Sequence, residues 1–152
     1  MQRRLGASEG AKLVTQGNLA ASYQSIGRHE EALRMCREIH AARSRLQGPR
    51  DGETLLAASN LSDQLITMRL CAEAKQFLSE QIPLALEALG PDDDNVLRMR
   101  WRYAFVLRNE GNYTEAVAIL EDVEQRCRRI FGISHPLTAH IQHALERVRG
   151  SY

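Results

Sequence analysis

The sequence predicts an all-α protein, a solenoid of antiparallel helical hairpins, and three observations carry that expectation. Ala, Leu, Glu, Arg and Gln dominate the chain, all good helix formers, while aromatics make up only 5% and prolines number four. Apolar residues recur at helical spacing, as in Leu19, Ala20, Tyr23 and Ile26. Above all, the chain repeats itself at a constant step of 42 residues. That step links Ala32, Ala74 and Ala116, and likewise Glu31, Glu73 and Glu115. It also links Gly48, Gly90 and Gly132, as well as Tyr23, Leu65 and Leu107.

Each repeat reads the same way. A first helix with an apolar stripe meets a short turn, seen in "SIGRHEEALRMC" and again in "NEGNYTEAVAIL". Gly and Asn tolerate the left-handed conformation that ends a helix, so the turn folds each helix back on the next. The alanines at 32, 74 and 116 lie where the two rods come closest. A longer second helix then runs to a loop, "QGPRDGET", "LGPDDDNV" or "FGISHPLT", in which Gly stops one helix and Asp, Ser or Asn starts another. The expected layout is one domain over 1–152. Residues 1–7 form the tail of a preceding helix, units follow at 8–49, 50–91 and 92–133, and a closing helix at 134–150 keeps a polar outer face. The middle unit departs most: Arg69 stands at the turn glycine, Lys75 stands where Leu33 and Val117 stand, and Pro83 falls inside the second helix, where a kink is expected.

The stretches "NLAASYQSIGRHEEAL", "YAFVLRNEGNYTEAV" and "FGISHPLT" resemble tetratricopeptide repeats, in particular the 42-residue variety of kinesin light chains. The resemblance implies about three such units and a non-enzymatic protein-interaction scaffold, with a cargo or adaptor role. It also implies that Asn18 and Asn60 match the asparagines with which such repeats hold a bound peptide's backbone.

Composition narrows the alternatives. A net charge of +1 removes the electrostatic case for nucleic acid. No run of about 18 apolar residues exists to span a membrane, and the first ten residues lack a secretory core, so the chain reads as cytoplasmic. Cys36, Cys71 and Cys127 are three in number without a short pair spacing and read as small buried residues. No catalytic motif, glycine-rich phosphate loop or metal-ligand pattern is found, so neither enzyme activity nor a cofactor is expected. His135, in "SHPLT", belongs to the loop pattern rather than to a metal site.

Stacked hairpins leave their first helices lining a concave surface, where binding is expected. The candidate peptide-binding residues there are Asn18, Asn60, Asp63, Arg98, Trp101, Arg102, Phe105, Asn109 and His143. Trp101 and Phe105 share a face with Arg98 and Arg102, an arrangement suited to an interaction hot spot. It points to a protein or peptide partner with acidic residues beside an aromatic or apolar anchor. The alternative is a section of a longer array that self-associates or stacks on other domains.

Overall fold

The computed structural model describes residues 2–150, with side chains from Ser8 onward. Among these residues there are seven helices and no strand. They are α1 (Gln2–Ser25), α2 (His29–Gln47), α3 (Gly52–Thr67), α4 (Cys71–Leu89), α5 (Asp94–Asn109), α6 (Tyr113–Phe131) and α7 (Pro136–Arg149). The repeat in sequence is a repeat in geometry. Helices α2, α4 and α6 each have 19 residues, and α3 and α5 each have 16.

The two kinds of junction explain the step. At each hairpin turn a backbone N–H reaches back five residues to close the helix: Arg28 to the Tyr23 carbonyl at 2.8 Å, Leu70 to Leu65 at 2.9 Å, and Asn112 to Leu107 at 2.9 Å. This closure needs one residue in the left-handed region, which is Gly27 at φ 83°, Gly111 at φ 85°, and in the middle turn Arg69 at φ 61°. At the other junctions a side chain caps the next helix. Asp51 accepts from the Glu53 N–H at 2.9 Å, Asp93 from Asn95 at 2.9 Å, and His135 Nδ1 from the Leu137 N–H at 3.1 Å. Asp51, Asp93 and His135 are themselves one step apart, so the histidine has a capping role.

One segment differs from expectation. Residues 2–7, expected as the tail of a separate helix, are continuous with α1. Their side chains lie outside the described set, but the physical reason is local: a glycine inside a helix costs only about 1 kcal/mol, too little to end it without a capping turn. Helix α4 carries Pro83 inside it, as the sequence placed it.

The chain divides into two compact units, Met1–Leu70 and Cys71–Tyr152. In the first, α1 and α3 both pack on α2, burying Leu13, Ala20, Ala32, Leu55, Leu61 and Leu65. In the second, α4 packs on α5, α5 on α6 and α6 on α7. Its core gathers Leu97, Ala104, Leu107, Ala116, Leu120, Val123, Leu137, Ile141 and Val148.

The run Asp92-Asp93-Asp94 divides its duties: Asp93 caps α5, Asp94 pairs with Arg98 at 2.9 Å, and Asp92 accepts from Arg126 at 2.8 Å and Arg129 at 3.0 Å. The Arg126 hydrogen bond and the nearby charge of Arg129 hold the Asp92 carboxyl below its ordinary range. Lys75, at a register position that is apolar in the other repeats, is half-buried and pairs with Glu110 at 2.8 Å.

Two expectations follow. Ala116 is fully buried, so Ala116→Leu should cost about 1–3 kcal/mol by overpacking. Glu121, exposed and, among the described residues, paired with the exposed Arg149 at 3.3 Å, should tolerate Leu within about 0.5 kcal/mol; thermal melts compare the two. Replacing Arg69 by glycine should raise stability by about 1 kcal/mol, because the left-handed backbone strains any residue with a Cβ. Chemical denaturation of Arg69→Gly measures it, and an unchanged midpoint would show the strain to be relaxed.

Candidate functional site

A groove with a volume of about 270 Å³ lies within the first unit. Helix α1 supplies one wall through Leu13, Val14, Gly17, Ala20, Ala21 and Gln24; α3 supplies the other through Glu53, Leu56, Ala57, Asn60 and Asp63. Helix α2 forms the floor through Cys36, Ile39 and Arg43. The groove is apolar at its centre, with Val14 57% and Leu56 41% exposed to solvent. Burial pushes the Cys36 thiol upward, and the charge of Asp63 adds to that shift, so the thiol stays protonated on the groove floor.

The second unit builds the corresponding space from the same repeat positions and fills it. Two steps of the repeat carry Gly17 to Trp101, Ala21 to Phe105 and Cys36 to Leu120. All three of those larger residues line the remaining space between α5 and α7, which has shrunk to about 30 Å³. Trp101 is half-buried, packs against the core, and stacks on His140 with ring centroids 5.7 Å apart. An added Cβ at Gly17, by contrast, would meet nothing within 4 Å. The groove is open where three small residues stand at the register of three large ones and where α1 and α3 approach less closely than α5 and α7 do.

The predicted residues distribute accordingly. Asn60 and Asp63 line the open groove, whereas Asn18 is exposed on α1 outside its lining. Trp101 and Phe105 sit together at the filled space, and Trp101 is held by packing rather than facing solvent as expected. Arg98 is half-buried and bound to Asp94 of its own helix, so its charge is already answered. Arg102 is half-buried, while Asn109 and His143 are exposed on α5 and α7.

A sequence profile described as tetratricopeptide repeat matches residues 12–85 and 95–150. The chain belongs to the tetratricopeptide-repeat family. Among solved structures, TPR-like repeats from Podosopora anserina assigned as a kinesin light chain share the fold at TM-score 0.80 and 23% identity, over 90% of this chain and 65% of that one. BtubC (BKLC) from P. vanneervenii matches at TM-score 0.79 and 17% identity, over 99% of this chain and 61% of that one. The chain thus spans less than two thirds of the length of each of these proteins. At those identities the likeness is one of fold: an α-solenoid of helical hairpins. No curated protein matches the sequence. Repeats of the tetratricopeptide family are in general protein-interaction scaffolds rather than enzymes. Among the described residues no helix is long and apolar enough to cross a membrane.

Sequence reasoning set Gly17 and Ala21 on the concave face of the first helix without marking their small size, read Cys36 as a small buried residue, and passed over Arg43. A signal existed in each case, because reading the repeat register by side-chain size marks 17, 21 and 36 as the small members of their sets. Trp101→Ala in this tetratricopeptide-repeat protein should cost about 2 kcal/mol, below the 3–5 kcal/mol of a fully buried aromatic since the ring is half-buried. Thermal denaturation reads this out, and a melting temperature equal to the parent's would return the indole to the role of a free surface residue.

Proposed function

We propose that the protein is an interaction scaffold that binds a peptide segment of a partner protein in the groove between α1 and α3. The observation that carries this reading is the space of about 270 Å³ left open over Gly17, Ala21 and Cys36. Its apolar centre suits an apolar or aromatic anchor side chain, the type that contributes most to peptide recognition. The second unit offers an internal guide to what fits, since an indole and a phenyl ring occupy the corresponding space there. Asn60 on the groove wall can donate to and accept from an extended peptide backbone. The fold shared with repeats assigned as a kinesin light chain supports an adaptor role, in which the bound segment belongs to a cargo or a regulator.

The test uses the contrast that the molecule already contains. Peptides selected from a random library on the parent protein should bind Gly17→Trp at least about tenfold more weakly. The variant should melt no lower than the parent, because the new side chain enters open space and replaces a helix-interior glycine. If selection enriches no peptide, or if the enriched peptides bind the variant equally well, the groove is not the binding site.

A further inference from the structure

The α3 wall of the open groove carries two carboxylates, Glu53 and Asp63, with Leu56 and Asn60 between them. Glu53 is exposed and Asp63 half-buried. Asp63 also lies close enough to the floor for its charge to act on the Cys36 thiol. Among the described lining residues the one cation is Arg43, which is only 9% exposed and donates to Gln47 Oε1 at 3.4 Å. The charges that a ligand reaches along the rim are therefore the two acids. The repeat register shows the acid at 63 to be particular to this groove. One step back along the repeat the same position holds Ala21, and one and two steps forward it holds Phe105 and Arg147. Glu53 likewise stands where Ala11, Asn95 and Leu137 stand. Positions that tolerate small, aromatic, amide or cationic side chains elsewhere are both acidic only on this wall.

We infer that the peptide segment held in this groove is basic, with an apolar or aromatic anchor over Gly17 flanked by lysine or arginine side chains that pair with Asp63 and Glu53; this rests on the groove reading proposed above. The two acids are ten residues apart on one helix (63 − 53), which is about 15 Å along its axis. An extended peptide covers that distance in roughly five residues. The spacing therefore fits a basic residue on each side of one anchor. Partly exposed ion pairs add modestly to affinity but strongly to the choice of partner, because a segment of like charge is repelled from the same wall. The α1 wall supplies the apolar surface through Leu13 and Val14, and the α3 wall supplies the selection by charge.

Three capped hexapeptides test this by heteronuclear NMR on the full chain at low salt: Lys-Ala-Trp-Ala-Ala-Lys, its glutamine counterpart and its glutamate counterpart. The lysine peptide should shift the Gly17 and Asn60 backbone amides and bind about tenfold more tightly than the glutamine peptide. The glutamate peptide should bind more weakly than either, and added salt should narrow the differences. The double variant Glu53→Gln, Asp63→Asn should lose the lysine preference while keeping the glutamine peptide's affinity. Equal affinity of the three peptides for the parent overturns the basic assignment while leaving the groove. Preference for the glutamate peptide does the same, as does a lysine preference that survives in the double variant. If none of the three moves Gly17 and Asn60, the groove reading falls and the assignment with it. The ranking on the parent decides even if the double variant does not fold.

Discussion

In each unit a second helix is packed between two first helices: α2 between α1 and α3, and α6 between α5 and α7. This constraint governs the rest. The sandwiched helix must be narrow on both flanks, which is why Ala32 and Ala116 are buried to within 1%. It must also enter and leave at fixed angles, which the left-handed hairpin residue and the capping residue impose at each end. Once those conditions are met, a gap is left between the two outer helices. What lies in it depends on which residues point into the gap and on how closely the outer helices approach, which is nearer for α5 and α7 than for α1 and α3. One scaffold can therefore present a closed surface in one unit and a groove in another without changing its backbone plan.

Volume is the first variable the scaffold leaves open. Trp101 extends the core of the second unit toward α7, while Phe105, exposed, borders the space that remains. Gly17 and Ala21 give up the same contact in the first unit and leave apolar surface in water. Unfilled apolar space weakens a fold, because burial is the main favourable term in folding. An open groove is thus a place where stability has been exchanged for the capacity to bury something else.

Charge is the second variable, and the first unit, like the second, answers charge locally, as where Arg28 pairs with Glu31 at 2.9 Å. In the second unit most charges are answered within reach. Asp122 accepts from Arg100 at 2.6 Å and from Arg126 at 3.0 Å. Burial pushes its carboxyl up, but the two guanidinium groups outweigh that and bring it below its ordinary range. Asp92 is tied to Arg126 and Arg129 in the same way. Such local answering fixes the loop before α5 and leaves little charge to recruit a partner. Arg43 in the first unit donates to the Gln47 amide at 3.4 Å and borders a groove whose wall carries Glu53 and Asp63.

The helices, their turns and their order were legible in the sequence, since these depend on short-range chemistry repeated at one step. Glycine at the turns, Asp51 and Asp93 before α3 and α5, and the alanine register each act over a few residues and leave a signature of the same length. The continuity of α1 through residues 2–7 was not legible, because a glycine can either end a helix or sit inside one, and the choice depends on hydrogen bonds formed around it. The site was legible only in part. Periodicity set Asn60 and Asp63 on a face that lines the groove, yet Trp101 read as exposed because a helical stripe does not say whether a neighbouring helix covers its edge. Sequence by itself determined the repeat and its elements, because local hydrogen bonding and periodic burial specify them. Only the tertiary structure decided that the gap is open over Gly17 and closed over Trp101, because a cavity is a property of three helices at once and no single stretch of chain encodes its volume.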